Sequence, residues 1–438
     1  MRRRDLVLLT CALTGACGSA PEPVIAPGWD AKRADHPLSR AECVQLAIDF
    51  APTAEAWRAR LDAARARLDH AGELPNPTLG VEWEDFGLSP HAVTALQTTY
   101  PIGLSLSELF LRADRQSEAD HELQASIAEL LVERRKLALS VCTAYDAIVA
   151  AHEGRKLTSE LLDVADRALH AAQRRVEVGL DAPFTIERAQ AQVAAVHAQL
   201  AHEEIDVGGL EMAFAFALGF ERPVALQLAD GVLPDQGPPA EDAEALLAEA
   251  TRTRPELVAT AAHYAAALDR AHLAASPLRF LPHVAAGPRT NGGHLFGVAS
   301  LEVELPIFDS GSAEQAEKNA DLLAAAAEAR ATAHRVTEEV LTAATRVEQE
   351  AGYLREHAIP LAERQARLRE HAEKAFEAGE IEFDALLESM RSEIAARRDL
   401  LEAHKSLAEV SWPLALDRWL RDRAEGLPEE RTDPQRGR

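Results

Sequence analysis

The chain has 438 residues, of which 47% are hydrophobic and only 5% aromatic. This composition permits a sizeable buried core, and the shortage of aromatic rings favours close-packed helices over an enzyme-like core. Acidic residues (71) outnumber basic ones (46), so the net charge is −25. An acidic chain repels phosphate backbones, which argues against nucleic-acid binding.

The N-terminal residues have the pattern of a lipoprotein signal peptide. Arginines at 2–4 precede a short apolar run at 6–13, and small residues then lead to Cys17. A run this short is typical of a signal peptide and not of a membrane-spanning helix. We therefore expect residues 1–16 to be removed and Cys17 to be acylated; plain secretion after cleavage is the alternative.

Two further segments and two further cysteines bear on the mature chain. Residues 17–37 are rich in Pro, Ala and Gly and are predicted to be a linker, and residues 421–438 a disordered tail. Cys43 and Cys142 would remain beside Cys17. A disulfide between them is permitted outside the cytoplasm, and two small buried thiols are the alternative. The sequence does not decide between these states.

The rest of the chain contains an internal duplication. Pro77 and Pro282 open strand-like segments that end near Pro101 and Pro306, and each equivalent pair is 205 residues apart. Two copies of one unit are the economical explanation. The predicted units are residues 38–235 and 236–420.

Each unit is predicted to contain a helix, a strand pair, a very long helix, a glycine-marked turn and another helix. Apolar residues recur at helical spacing over 107–178, and the equivalent helix covers 312–378 with a kink near Gly352 and Pro360. At about 1.5 Å per residue these helices would extend roughly 108 and 100 Å. Shorter helices that stack along them are predicted at 38–71, 184–218, 240–275 and 383–416.

The strand pairs, at about 78–103 and 282–307, alternate between apolar and polar residues. This alternation places Glu82, Glu84, Glu302 and Glu304 on the polar face. Runs of about 9–11 residues with this period suit tilted membrane strands. Because four strands cannot close a barrel, we expect three copies to form a 12-stranded one with the glutamates lining its lumen. Two soluble hairpins on a coiled-coil protein are the alternative.

The sequence offers no recognisable reaction centre. Its 16 histidines form no convincing cluster at metal-ligand spacing. It contains no P-loop, nucleophile elbow or glycine-rich dinucleotide loop. The sequence therefore predicts no cofactor, no resident metal and no catalysis, so a partner must supply energy.

Five motifs in chain order resemble the TolC-like outer-membrane efflux factor family across residues 38–420. They are LPNPTL at 74–79, RVEVGL at 175–180, RPEL at 254–257, LPIFDSG at 305–311 and FEAGEI at 376–381. Within the family, the compact strand pairs and DAPF at 181–184 are similar to the cobalt–zinc–cadmium-type metal efflux branch. The stretch LSLSE at 104–108 departs from the family pattern after the second strand.

The resemblance implies an α+β, predominantly α fold in a homotrimer. A β-barrel would sit in outer-membrane lipid, and an α-helical barrel would extend into the periplasm. The chain would be a passive exit duct that works with a periplasmic adaptor and an inner-membrane pump of RND type, and the metal-efflux branch implies heavy-metal cations as the cargo. The two hairpin tips would contact the adaptor through Val178, Gly179, Leu180, Ala378, Gly379 and Glu380.

An acidic pattern follows the second tip. Glu380, Asp384 and Glu388 recur every four residues and are predicted to share one helix face. In a trimer they would form stacked acidic rings at the periplasmic entrance, which favour cations and act as a gate. A solvated outer face is the alternative.

Two other classes of protein compete with the channel. A periplasmic adaptor also has a lipid anchor and a helical hairpin, but usually a single hairpin flanked by small β-domains. A secreted coiled-coil scaffold would not need strand pairs at matched positions in both repeats.

Overall fold

The computed structural model describes residues 36–84, 97–179, 181–220, 226–229, 242–291 and 293–424. The expected signal peptide, Cys17, Leu180 and residues 425–438 of the expected tail lie outside these ranges. The last helix continues to Ala424, so the expected tail begins a few residues too early.

Helices make up most of the described chain. They are α1 (Arg40–Phe50), α2 (Pro52–Ala71), α3 (Leu106–Phe110), α4 (Arg112–Glu177), α5 (Phe184–Ala217), α6 (Ala243–Thr253), α7 (Pro255–Ala275), α8 (Ser312–Tyr353), α9 (Ile359–Glu377) and α10 (Phe383–Ala424). The strands are β1 (Thr78–Leu79), β2 (Glu82–Glu84), β3 (Gln97–Thr99), β4 (Ile102–Ser105), β5 (His283–Asn291) and β6 (His294–Glu302). The predicted α+β, mainly helical class is confirmed.

Both predicted long helices are present. The 66 residues of α4 extend roughly 99 Å at the usual helical rise. In the second repeat, α8 and α9 are joined by a π-helical turn, Leu354–Ala358. Pro360 follows that segment and has no backbone N–H to donate. The regular hydrogen bonds between residues four apart are therefore interrupted there, and the π-helical segment uses bonds between residues five apart. The predicted interruption near Gly352 and Pro360 is confirmed.

Two predicted short helices are each divided in two. Ala51 separates α1 from α2, and Arg254 separates α6 from α7; both have extended backbones, with ψ of 137° and 119°. A proline follows each of them, and the residue before proline is sterically disfavoured from the helical region. The prediction of continuous helices at 38–71 and 240–275 was therefore wrong.

Helix α4 is the centre of the packing, because it contacts α2, α5, α7 and α10. Where α1, α4, α5 and α10 meet, the largest buried cluster includes Tyr145 and Phe214. Cys43 and Cys142 belong to this cluster and are free thiols. Burial is the main cause that raises the pKa of each thiol to about 12. The structure therefore shows two small buried residues here, and no disulfide.

Two buried arginines join four helices at one point, which we call the arginine joint. Arg254 and Arg135 each place a guanidinium nitrogen 3.0 Å from Oε1 of Glu339 on α8. Both also donate to the backbone carbonyl of Pro413, inside α10, at 3.3 and 3.1 Å. Burial alone would raise the pKa of Glu339, but the two guanidinium groups outweigh it and lower that pKa. The joint fixes α4, α7, α8 and α10 relative to one another.

The strands form one antiparallel sheet at the end of the helices. Segments β1 and β2 pair with β4 and β3, which pair in turn with β5, and β5 pairs with β6. Within the described residues, β1 and β2 form one edge of this sheet and β6 forms the other. No described helix is both long and apolar enough to cross a membrane.

Candidate channel lining and periplasmic tips

The strand register divides the sheet into a polar and an apolar face. Directly opposed residues of antiparallel strands point to the same side. Thr99 is opposed to Glu82 on one neighbour and to Arg289 on the other, and His283 is opposed to Glu302. The polar face therefore carries the polar residues Thr78, Glu82, Glu84, Gln97, Thr99, Ser105, His283, Arg289, Asn291, His294, Ser300 and Glu302, and its apolar members include Ala285, Phe296 and Val298. The predicted alternation is thus present for three of the four glutamates.

Glu304 lies beyond the end of the strand, so the alternation does not assign it to this face. Strand β6 ends at Glu302, and residues 303 and 304 have no regular structure. The period of two that assigned Glu304 to the lumen holds only within a strand. Its position relative to the other glutamates therefore does not follow from the alternation.

The opposite face of the sheet presents apolar side chains to the outside of the chain. Leu295 and Leu79 are each 73% exposed, and Leu301 is 66% exposed. Trp83 lies on the same face, because it is opposed to Thr98, which is in turn opposed to Thr290. An exposed apolar face of this extent on a folded sheet marks a surface that meets lipid or another protein.

Two contacts on the polar face reach across the middle strand. Glu84 accepts from Nη2 of Arg289 at 2.9 Å, and Thr78 Oγ1 lies 3.2 Å from Nε2 of His283. The members of each pair are 205 residues apart, which is the offset of the predicted duplication. Sequence reasoning missed Arg289, although comparing Glu84 with its repeat equivalent would have identified it.

The hairpin tips have the glycine turns that the sequence predicts. Gly179 and Gly379 have φ of +76° and +75°, a region that favours glycine. In the second tip the Glu380 amide donates to the Ala375 carbonyl at 2.8 Å, which closes the helix end. Val178 is 71% exposed, and Ala378, Gly379 and Glu380 are also exposed.

The two hairpins contact each other close to these tips. Arg175 is bonded to Asp181 just beyond the first tip, at 2.8 Å, and its guanidinium lies 5.6 Å from the ring centre of Phe376 on α9. Ala172 and Leu387 belong to a small buried cluster beside this contact. The tips therefore form one surface.

The candidate gate residues are arranged differently from the prediction. Helix α10 begins at Phe383, so Glu380 lies in the turn before it and does not share a helix face with Asp384 and Glu388. The glycine turn delays the helix start, because its residues take non-helical conformations. Asp384 is itself paired, since its carboxylate lies 2.7 Å from Nη1 of Arg188 on α5. Counted from the tip glycines, Gly179 and Gly379, Arg188 in the first repeat occupies the position of Glu388 in the second, and this reversal of charge was a signal that sequence reasoning missed.

Further contacts join α10 to the first hairpin above that ion pair. Arg391 donates to Gln192 of α5, and Arg398 donates to both Thr158 and Glu203. These contacts and the Arg188–Asp384 pair together form what we call the hairpin seam. Across the described ranges, no group of three or more His, Cys, Asp and Glu side chains is placed to hold a metal ion.

Comparisons of sequence point to one family. Residues 43–218 match the family model described as outer membrane efflux protein. The cobalt-zinc-cadmium resistance protein CzcC of Cupriavidus metallidurans is 26% identical over 377 residues, which are 84% of this chain and 86% of CzcC. The matches therefore reach well beyond the first repeat.

Comparisons of structure agree in fold. The outer membrane protein VceC of Vibrio cholerae superposes with a TM-score of 0.71 at 17% identity, covering 86% of this chain and 95% of VceC. CusC superposes with a TM-score of 0.66 at 16% identity, covering 91% and 97%. The chain has the fold of TolC-like outer-membrane channels, and its residues 43–218 have the sequence pattern of outer membrane efflux proteins. This efflux protein is a channel component of the outer membrane, and the comparisons give no support to an adaptor or a coiled-coil scaffold.

Proposed function

We propose that this efflux protein is the passive exit duct of a tripartite system and exports heavy-metal cations. An inner-membrane pump of RND type and a periplasmic adaptor would deliver the cargo, and the chain itself would perform no catalytic step. One observation carries this proposal: a sheet with an acidic face and an exposed apolar face continues directly into helices of roughly 99 Å. Such a chain supplies part of a wall around a long polar conduit.

The sheet supports assembly into a homotrimer. Its described edges, formed by β1 with β2 and by β6, carry backbone donors and acceptors that need partners. Because the two edges differ, they would pair head to tail, and such an interface closes into a ring when the rotation per copy permits. Segments β1 and β2 lie in line as one interrupted strand, as do β3 and β4, so each chain contributes four strands. Three copies would give a 12-stranded barrel with a polar lumen and an apolar outer face.

The neighbouring helices leave two matching free sides. Helices α2, α4, α7 and α8 pack in that order. The side of α8 that faces the rest of the chain carries the half-buried residues Leu322 and Ala325. The corresponding side of α2 carries Leu61, which is half-buried, and Ala64, which is buried. At about 100° per residue, the opposite sides carry exposed alanines. They are Ala59 and Ala66 on α2 and Ala316, Ala320, Ala324 and Ala327 on α8. Alanine-lined helices can approach closely, so we propose that these sides meet between copies.

Two observations support a cationic cargo. Glu82 and Glu302 are exposed on the polar face, and rings of carboxylates favour cations. The name of CzcC links that relative to resistance to cobalt, zinc and cadmium. We therefore propose divalent metal cations as the cargo, passing through without a resident binding site.

The tip of the second hairpin is the proposed gate. The Arg188–Asp384 pair ties α10 to α5 while both side chains remain about half exposed, at 50% and 47%. An exposed pair of this kind contributes on the order of 0.5 kcal/mol. Three copies would hold the entrance weakly, which suits a gate that a docked partner opens.

Channel recordings test the duct and its gate together. We expect wild-type trimers in planar bilayers to conduct weakly, and Arg188→Ala with Asp384→Ala to raise the conductance several-fold by releasing α10. The matched control is Lys374→Ala with Glu370→Ala, which removes an exposed ion pair within α9. A tip variant that is trimeric yet conducts no better than this control would contradict the gate, and one that forms no pore would contradict the duct.

The remaining assignments concern the partner and the membrane anchor. We propose that Val178, Gly179, Leu180, Ala378, Gly379 and Glu380 form the rim that the adaptor contacts. A photo-crosslinking residue at Val178 should capture the adaptor, whereas one at the exposed Leu323 should not. We also propose acylation at Cys17, so the mass of the mature protein should exceed that of residues 17–438 by the mass of its lipid, and a mass equal to residues 17–438 would contradict the anchor.

A further inference from the structure

Arg289 is held rigidly in the polar face of the sheet. Its Nε donates to Oγ1 of Thr99 at 3.0 Å, and its Nη2 donates to Oε1 of Glu84 at 2.9 Å. Thr99 is only 2% exposed, so the first of these contacts is anchored in the sheet. The guanidinium therefore lies across β3 in a fixed position, and not as a free cation in solvent.

The position of this ion pair along the sheet is also defined. His283 and Glu302 lie at the end of β5 and β6 nearest the helices, where the Leu106 amide of α3 bonds to the Pro282 carbonyl. Arg289 follows His283 by six residues, so it lies roughly 20 Å farther from the helices at the usual rise of a strand. In the proposed channel the Arg289–Glu84 pair is therefore at the outer end.

Arg289 consequently sets the net charge at the outer end of the polar face. Among the described residues of this face, Arg289 is the only lysine or arginine, and it neutralises Glu84. Near the helices, Glu302 is opposed to His283, and no lysine or arginine of this face lies beside it in the register. Glu82 lies in the same row as Arg289, so each end of this face keeps one uncompensated carboxylate, and the outer end would keep two without Arg289.

We propose that Arg289 is a specificity-determining residue that sets charge selectivity at the outer end of the channel. This inference rests on the proposed function and deepens it. Conduction requires that an ion bind well enough to enter and weakly enough to leave. The Glu302 carboxylate draws cations into the lumen, and Arg289 cancels the Glu84 charge so that Glu82 alone attracts cations at the outer end.

Reversal potentials under a potassium chloride gradient test this assignment in the Arg188→Ala, Asp384→Ala background. Arg289→Gln should raise the cation-to-anion permeability ratio by about twofold or more, because three uncompensated Glu84 carboxylates then line one ring. Glu84→Gln should lower the ratio, because Arg289 is left unpaired. Arg289→Lys and the double variant Arg289→Gln, Glu84→Gln keep the local net charge and should remain near the parent value.

Ionic strength provides a second readout. The Debye length falls from about 10 Å at 0.1 M salt to about 3 Å at 1 M, so the shift in Arg289→Gln should shrink as salt rises. A permeability ratio that is unchanged in Arg289→Gln, or a shift that is independent of salt, overturns the role of Arg289 while leaving the channel in place. Absence of pores in every folded, trimeric variant overturns the proposed function, and this inference with it.

Discussion

Replacing Arg254 by alanine is expected to destabilise the protein by roughly 1–3 kcal/mol, because a buried side chain is lost and Glu339 and the Pro413 carbonyl are left with Arg135 as their shared partner. The Arg254 side chain is 0% exposed and bonds to Glu339 and to the Pro413 carbonyl. Its loss would remove the contact that joins α7 to α8 and α10. Thermal unfolding followed by circular dichroism at the helical signal should show a clear fall in Tm.

The matched control for this variant is Arg252→Ala. Arg252 is exposed, two residues earlier, and its Nε donates only to the Ala248 carbonyl of its own helix. Surface substitutions of this kind usually change stability by no more than about 0.5 kcal/mol. Equal values of Tm for the two variants would show that the arginine joint does not stabilise the fold.

The same joint predicts a dependence on pH. The pKa of Glu339 is lower in the folded protein than its ordinary value of 4.5. A carboxyl group of this kind stabilises the fold above its unfolded-state pKa, and this contribution is lost as pH falls through the folded value. The difference in Tm between wild type and Glu339→Gln should therefore be constant near neutral pH and narrow below pH 4.5. A difference that grew on acidification would contradict the role of the Glu339 charge.

Placing a carboxylate on either alanine-lined helix side is expected to prevent assembly. Ala320 on α8 and Ala66 on α2 are exposed in the single chain. Because glutamate has a favourable helix propensity, Ala320→Glu or Ala66→Glu should leave the protomer folded. In the proposed trimer each glutamate would enter a close helix contact without a partner. Size-exclusion chromatography with light scattering in detergent should show loss of the trimer, and bilayer recordings should show loss of conductance.

Serine at the same positions is the control for this result. Ala320→Ser and Ala66→Ser keep the side chain small, so helices can still approach closely. We expect both serine variants to be trimeric. If Ala320→Glu and Ala66→Glu also remain trimeric with wild-type heat stability, the contact between copies lies elsewhere on the surface.

The sequence predicts those parts of the fold that depend on local rules. Helical periodicity identified α4 and the interrupted helix of α8 and α9, and alternation identified the polar face that carries Glu82 and Glu302. The divisions at Ala51 and Arg254 also obey a local rule, since a proline follows each residue. They were missed because the apolar pattern continues across both positions.

The contacts that organise the site depend on distant pairs and were less accessible. Arg188 and Asp384 are 196 residues apart, and Arg135 is 278 residues from the Pro413 carbonyl that it bonds. Charge patterns within one helix give no information about such partners. Asp384 was therefore expected to be an unpaired carboxylate in an acidic ring at the channel entrance. Glu380 was misplaced for a local reason, because the length of a glycine turn decides where the next helix begins.

The π-helical turn Leu354–Ala358 has a consequence for the symmetry of the assembly. Both repeats use 66 residues between helix start and tip, from Arg112 to Glu177 and from Ser312 to Glu377. Each extra residue accommodated in such a turn rotates the following helix surface by about 100° relative to an uninterrupted helix. Above the turn, six near-equivalent units would surround the axis of a trimer. Below it the second hairpin would present a different face from the first in the proposed trimer, so only threefold symmetry would remain at the end that carries the tips.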